Sequence, residues 1–538
     1  MLTALVLLAC SDDGKDRSAG TDSDLPLDSD TDTVGDTETD TLPGAPAFTV
    51  APVLVQAPDP DAPLGWRLTL TASEPVTVTV DVTDDLGVIS HGPFETDAAL
   101  DVWLHGWHPG RTHAVVVTAT DADGESATAD LAVTAPALPD DFPDIRLVSA
   151  DPARMEPGVT IVTPTKAALD GASYIIALDG TGLPVWWYAG SGSIHSVEQL
   201  PNGNIRYMRN KDAVFVVDLR GTPIAEYHPR DSSPNGAIVD TDALHHDVIG
   251  LPDGHLLALS VELRTIADYP KTEENPAVTG EERVAGDVVV EFDAVTGAIY
   301  QEWKLLDLLD DNRIAWDAVK GDYWEGLYGG DVNDWSHGNA LQYDAPTDRI
   351  WVSLRHQDAV VALGRASGQL EAILGNHEGW DAEFEPFLLD PVGATDWPYH
   401  THGHVIGPTG NVLVFDNGNN RTTPPELPAG PTTSRAAEYA VDIAAGTTEL
   451  VWQWEDGSFS GSLGNVQLLP ATGNVLVVYG NVATKDETEP GVHIYEVTHT
   501  EPAEIVRQYD VYPAPVAGAG VTTYRAVHWP SLQIVPGY

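Results

Sequence analysis

Four histidines stand at matching places in a repeated pattern. His195, His246 and His402 each precede a Pro by six residues and a Gly by eight, at Pro201 and Gly203, Pro252 and Gly254, and Pro408 and Gly410. His337 opens a looser copy with a longer turn, and Asn465 takes the place of histidine in a fifth. A neutral imidazole is a competent nucleophile and proton carrier near pH 7. One histidine in a β protein usually satisfies only a local hydrogen bond, and His195, in the most ordinary copy, fits that reading best. Four at one phase of a repeat are harder to dismiss. A base accompanies them: Arg355 follows the His337 copy in Trp351-Val352-Ser353-Leu354-Arg355-His356-Gln357-Asp358. A buried guanidinium needs an anionic partner. An Arg aimed at a histidine cluster therefore suggests an oxyanion site, against the plainer alternative of a structural ion pair.

Each copy reads as strand, tight turn, strand. A second signal lies between copies, a strand and an Asp or Gly turn, often followed by Trp. It occurs at Asp179 with Trp186 and Trp187, at Asp218, at Asp293 with Trp303, at Gly364, and at Asp442 with Trp452, with a degenerate form before Pro502. Six outer hairpins imply six four-stranded blades, an all-β, six-bladed β-propeller over residues 145–538. The C-terminal strands, around Thr523–Val535, are expected to complete the first blade. Equivalent first-strand positions then share one end of a central channel, so the four histidines converge.

Residues 47–136 alternate with period two, as in Val76-Thr77-Val78-Thr79-Val80, between Asp- and Gly-containing turns. That pattern predicts a small immunoglobulin-like or fibronectin-like β-sandwich. Residues 11–46 are Asp, Thr, Ser and Gly and predict a disordered acidic tether. Residues 1–10 end in Leu7-Leu8-Ala9-Cys10, the pattern of a bacterial lipoprotein signal with Cys10 as the lipidated residue. The expected location is the cell envelope, facing periplasm or cell surface, with membrane contact only through the lipid. Cys10 is the single cysteine, so no intrachain disulfide can form.

The net charge is −56, of which −9 falls in residues 1–46. Acidity therefore belongs to the domains too. It argues against a nucleic-acid binder, which needs a basic face, and requires any anionic substrate to meet a local positive cluster.

Four segments together resemble bacterial arylsulfate sulfotransferases. They are Asp334-Trp335-Ser336-His337-Gly338-Asn339; Ser353-Leu354-Arg355-His356-Gln357-Asp358; His402 with Phe415-Asp416-Asn417-Gly418-Asn419-Asn420-Arg421; and Ser434-Arg435-Ala436-Ala437-Glu438-Tyr439. The resemblance is good over residues 240–445 and loose elsewhere. It implies a propeller with a small N-terminal β domain and nucleotide-independent transfer of a sulfuryl group from an aryl sulfate to a phenol. It implies a transiently sulfated histidine, His402, supported by His246, His337 and Arg355. Asn339, His404 and His195 are expected at the substrate, with no cofactor and no metal. An assembly of two copies is compatible with this reading.

The residues leave alternatives open. His400, His402 and His404 alternate, so period two puts all three on one strand face and any could be the nucleophile. With His246 they also offer a metal-ligand spacing, as a hydrolase or lyase would need. A non-enzymatic binding propeller displayed at the surface is the third reading, because fold does not decide function.

Overall fold

The protein is described by a computed structural model over residues 44–166, 172–232, 235–428, 432–482, 489–514 and 520–532. Cys10 and nearly all of the expected tether lie outside the described residues.

Seven strands between Phe48 and Thr134 form two antiparallel sheets, one of three strands and one of four. Their alternation is the cause: along Val76–Thr83 each Val is buried and each Thr or Asp is not. The buried faces share a core around Trp66, Leu68, Val80, Leu104, Trp107 and Val117. That core continues through Phe142 into Tyr174, Trp187 and Tyr509 of the following sheets.

The rest of the chain is propeller-like. Among the described residues it forms six sheets, each built on an antiparallel run of four strands. The expected turns join paired strands. Leu200 closes one onto Asn204, Leu251 another onto His255, and Gly407 a third onto Asn411. Five sheets start with the strands Ile194–Gln199, His245–Gly250, Gly338–Asp344, His402–Ile406 and Asn465–Leu468. The sixth takes its first strand, Val521–Trp529, from the far end of the chain, where it pairs with Val159–Lys166. Each first strand touches the next, and the circuit closes where Val521–Trp529 meets Ile194–Gln199. Aliphatic layers fill the spaces between neighbouring sheets, as with Val214, Val248, Leu256 and Val290. Trp186, Trp303 and Trp452, expected near the outer hairpins, are all buried.

Entry into the first strands is sharply bent. His246, His337 and His400 have φ of 55°, 46° and 53°. Such left-handed backbone is uncommon outside glycine and is held only where surrounding structure enforces it. A Cβ on Gly403, with φ of 61°, would lie 2.7 Å from the Cβ of Asn465, so only glycine fits.

Candidate active site

The bends bring the first-strand starts together. The His195 and His246 rings lie 5.1 Å apart and those of His246 and His337 4.9 Å. Tyr524, from the closing strand, stacks on His195 at 4.0 Å and meets the His402 ring edge-on at 6.3 Å. Tyr323, from the long connection after the third sheet, packs 5.4 Å from His246 and 4.8 Å from His337.

Hydrogen bonds separate the three clustered histidines. Asn417 donates through Nδ2 to the carbonyls of Ser460 and Leu463 at 2.7 and 3.0 Å. Its Oδ1 therefore faces His402 Nδ1, at 2.8 Å, as an acceptor. His402 must carry its proton on Nδ1, which leaves the lone pair on Nε2. His400 has no such freedom. Its Nδ1 meets Asp358 at 2.8 Å, and its Nε2 meets the Trp316 carbonyl at 3.1 Å and Asp317 at 3.5 Å. Burial works against charge on His400, but Asp358 and then Asp317 reverse the sign and raise its pKa. A ring with both nitrogens facing acceptors has no lone pair to offer and serves to hold the turn.

The expectation of one common strand face fails. His400 precedes the strand in a left-handed turn, and the pairing shifts register between His402 and His404 at Gly403. The bulge places His404 beside Asp247 and Arg525. There both its ring nitrogens are buried without a hydrogen-bond partner among the described residues, and burial pulls its pKa down to about 4.

The metal grouping expected of His246, His400, His402 and His404 does not assemble either. Among the described residues near the site, the ligand atoms that gather within 4.8 Å are those of Asp334, His337 and His356. Those are already engaged. His337 Nδ1 meets Asp334 Oδ2 at 2.5 Å, and His356 Nδ1 donates to the Asp334 carbonyl at 2.6 Å. Arg355 occupies His356 Nε2 and brings a positive charge that opposes a cation.

Arg355 also reaches Asp317 at 3.4 Å, while its buried Nε has no partner among the described residues. One side chain thus combines an ion pair with a buried donor left over. Asn339 steadies the segment before His402, donating to the Thr401 carbonyl at 2.6 Å. Its own carbonyl accepts Tyr524 Oη at 2.5 Å and Arg525 Nη2 at 2.9 Å.

Burial disfavours charge on the clustered rings. Burial lowers the pKa of His402 well below the ordinary histidine value, and Arg355 adds to it. Burial does the same to His246, helped by His337 and His245, and to His195, helped by Arg525. His337 is pulled down to about 3, by burial first and then Arg355. Burial lowers Arg355 as well, though a guanidinium stays charged. The arrangement offers an imidazole lone pair on His402 with the Arg355 charge acting on it.

Several residues of the site had no signal in the repeat. Tyr323 and Asp317 come from a connection with no periodicity, and Tyr524 from a strand 185 positions away from the Asn339 carbonyl it bonds. Others were adjacent to what the repeat marked: His245 precedes His246, His356 follows Arg355, and Asp334 stands three residues before His337.

Residues 145–514 match the Arylsulfotransferase (ASST) family. The chain is similar to the arylsulfate sulfotransferase AssT of Escherichia coli O6:H1, with 26% identity over 357 residues and 55% of each chain covered. It is also similar to AssT of Lelliottia amnigena, with 32% identity over 144 residues and 23% of each chain covered. It thus spans about half the length of the first relative and about a quarter of the second. Among solved structures it is similar to the periplasmic gluconolactonase PpgL of Pseudomonas aeruginosa, with 10% identity, a TM-score of 0.31, and coverage of 68% of this chain and 98% of that one; nothing is drawn from so loose a likeness. The family match covers well over half of the sequence, and the protein belongs to the arylsulfotransferase family.

Proposed function

We propose that this protein moves a sulfuryl group from an aryl sulfate to a phenol through a sulfated His402. The observation that carries the proposal is the Asn417 hydrogen bond, which leaves His402 Nε2 as a lone-pair nitrogen. Nε2 attacks sulfur, the aryl oxygen leaves, and the acceptor phenol then attacks sulfohistidine in a ping-pong cycle. No nucleotide sulfate donor enters it. Arg355 neutralises the sulfuryl oxygens as charge redistributes, by the electrostatic logic of phosphoryl transfer. His246 and His337 exchange protons or hydrogen bonds with the two phenols, and the rings of Tyr323 and Tyr524 border the site that the aryl group enters.

The closed circuit of first strands supports reading the six sheets as a six-bladed propeller, and the shared core of the two N-terminal sheets supports a β-sandwich. Lipidation at Cys10 and a site of action in the cell envelope complete the proposal. A lipid-modified N-terminal peptide in membrane extracts is the test of that part.

The activity is tested by the mass of the intact protein after brief exposure to 4-nitrophenyl sulfate, with peptide mapping. A sulfuryl adduct on His402 is expected. An adduct on His400 or His404 keeps the reaction and moves the nucleophile. No adduct and no released phenol overturns the proposal.

A further inference from the structure

Two carboxylates stand behind the site at different removes. Asp334 touches His337 directly, whereas Asp287 reaches His246 only through His245. His245 is fully buried at the start of the first strand of its sheet, opposite Leu259 of the second. Its Nε2 lies 2.9 Å from the Ser260 carbonyl and 3.1 Å from Asp287 Oδ1. The Ser260 carbonyl accepts, so this nitrogen carries a proton, while Asp287 Oδ1 stands in ion-pair range and takes no hydrogen bond among the described residues. Its Nδ1 lies 2.7 Å from Nδ1 of His246. Two ring nitrogens at that distance share one proton. Asp287 is in turn fixed through Oδ2, which accepts from Ser336 Oγ at 2.5 Å and the Gly338 amide at 2.6 Å. Trp324 closes the other side of His245, 5.0 Å away and edge-on.

We propose that His245 and Asp287 are positioning residues that let His246 give a proton to one phenol and take it back from the next. This rests on the sulfuryl-transfer reading above. With one extra proton on the pair, His246 holds a hydrogen on Nε2 and His245 carries the charge beside Asp287. In the first half-reaction the bond from His402 Nε2 to sulfur forms and the aryl oxygen–sulfur bond breaks. The leaving oxygen takes the proton from His246 Nε2, and the proton between the two Nδ1 atoms moves over to His246. The pair is then neutral, and Nε2 holds a lone pair. In the second half-reaction the acceptor hydroxyl gives its proton to Nε2 while its oxygen bonds to sulfur. The sulfur–nitrogen bond breaks, and its electron pair returns to His402. One proton is lent and returned per cycle, and no other reactant is needed. The titratable groups facing His246 from neighbouring strands and connections are His195, His337, His402, Tyr323 and Tyr524. None of them is a carboxylate; Asp334 lies behind His337, and Asp287 lies behind the ring that meets His246 Nδ1.

The test is the dependence of the donor half-reaction on the leaving phenol, in the whole protein, with phenol release followed in a single turnover. A better leaving group needs less help from an acid. His245→Gln is expected to lose several-fold with 4-nitrophenyl sulfate and about 100-fold with phenyl sulfate, the order of size of general acid catalysis. Asp287→Asn, which keeps the shape of the side chain, is expected to show the same trend more weakly. A loss equal for both donors in both variants marks a merely structural role and overturns the relay. So does full activity of His245→Gln with phenyl sulfate. A wild-type protein that forms the His402 adduct beside such flat variants loses the relay and keeps the transferase. A wild-type protein that releases neither phenol overturns both.

Discussion

Two regions of this molecule each bury a group of histidines, and they use them in opposite ways. In the N-terminal sheets His91 accepts a hydrogen bond from Trp107 Nε1 at 3.0 Å, and His113 Nε2 meets the His108 carbonyl at 3.0 Å. Burial holds both His91 and His105 at a pKa of about 4. His108 joins those sheets to the next, with Nδ1 on Asp84 at 2.7 Å and Nε2 on Asp179 at 3.1 Å. These contacts are local, and they complete a core or clamp a junction. At the first-strand starts Asn417 instead sets the His402 ring tautomer and leaves Nε2 without a proton. The difference shows that burial and a shifted pKa do not make a histidine functional. On the proposed reading, what distinguishes His402 is the nitrogen that the fold leaves without a proton, beside a positive charge.

Substitutions can break or sharpen that contrast. The largest effect is expected from His402→Ala, which should lower transfer about 10⁴-fold or more while circular dichroism and melting stay close to wild type. Unchanged turnover would erase the distinction between the two regions. Arg355→Ala should cost about 10²–10³-fold in kcat, the usual size for a donor that stabilises developing charge. Full turnover in that variant would make Arg355 an ion-pair partner of Asp317 and nothing more. Asn417→Leu releases the His402 tautomer. It should lower kcat about 10²-fold with little change in KM, measured on the folded fraction because the bonds to Ser460 and Leu463 are lost as well.

A smaller effect, on stability alone, is expected at the junction. The hydrogen bond to Asp179 raises the His108 pKa against burial, with Asp84 adding to it, while Asp84 and Asp179 are lowered. A raised histidine stabilises below its ordinary value near 6.5 and loses that stabilisation as pH rises through the folded value. Lowered carboxylates stabilise above their ordinary value and lose it as pH falls. The clamp is therefore strongest between the two. His108→Ala should cost about 1–3 kcal/mol at pH 5.5 and distinctly less at pH 9, read by thermal melting. An equal loss at both pH values would show that packing, not charge, holds the junction. The smallest effect belongs to His91→Gln, which should leave transfer unaltered in a standard assay.

Much of the architecture was legible in the chain because it repeats. Hydrophobic alternation and turn residues recur, so sheet formation, hairpin positions and the strand taken from the far terminus follow from local rules. The site was legible only where the repeat carried it. Phase alone brought His195, His246, His337 and His402 to one end of the strands. It misled at His400 and His404, because alternation assumes an unbroken strand and Gly403 breaks it with a bulge.

What the sequence by itself determined is the set of side chains and the repeat that gathers them. Tertiary structure decided which histidine keeps a lone pair, because a tautomer is set by its partners, and those partners come from elsewhere. Asn417 holds His402 from just past the neighbouring strand of its own sheet, Asp358 and Asp317 hold His400 from another sheet and a long connection, and Asp287 reaches His246 through His245. No local pattern encodes an acceptor that arrives from 42 or 83 residues away in the chain, as Asp358 and Asp317 do for His400. Only the closed fold supplies it.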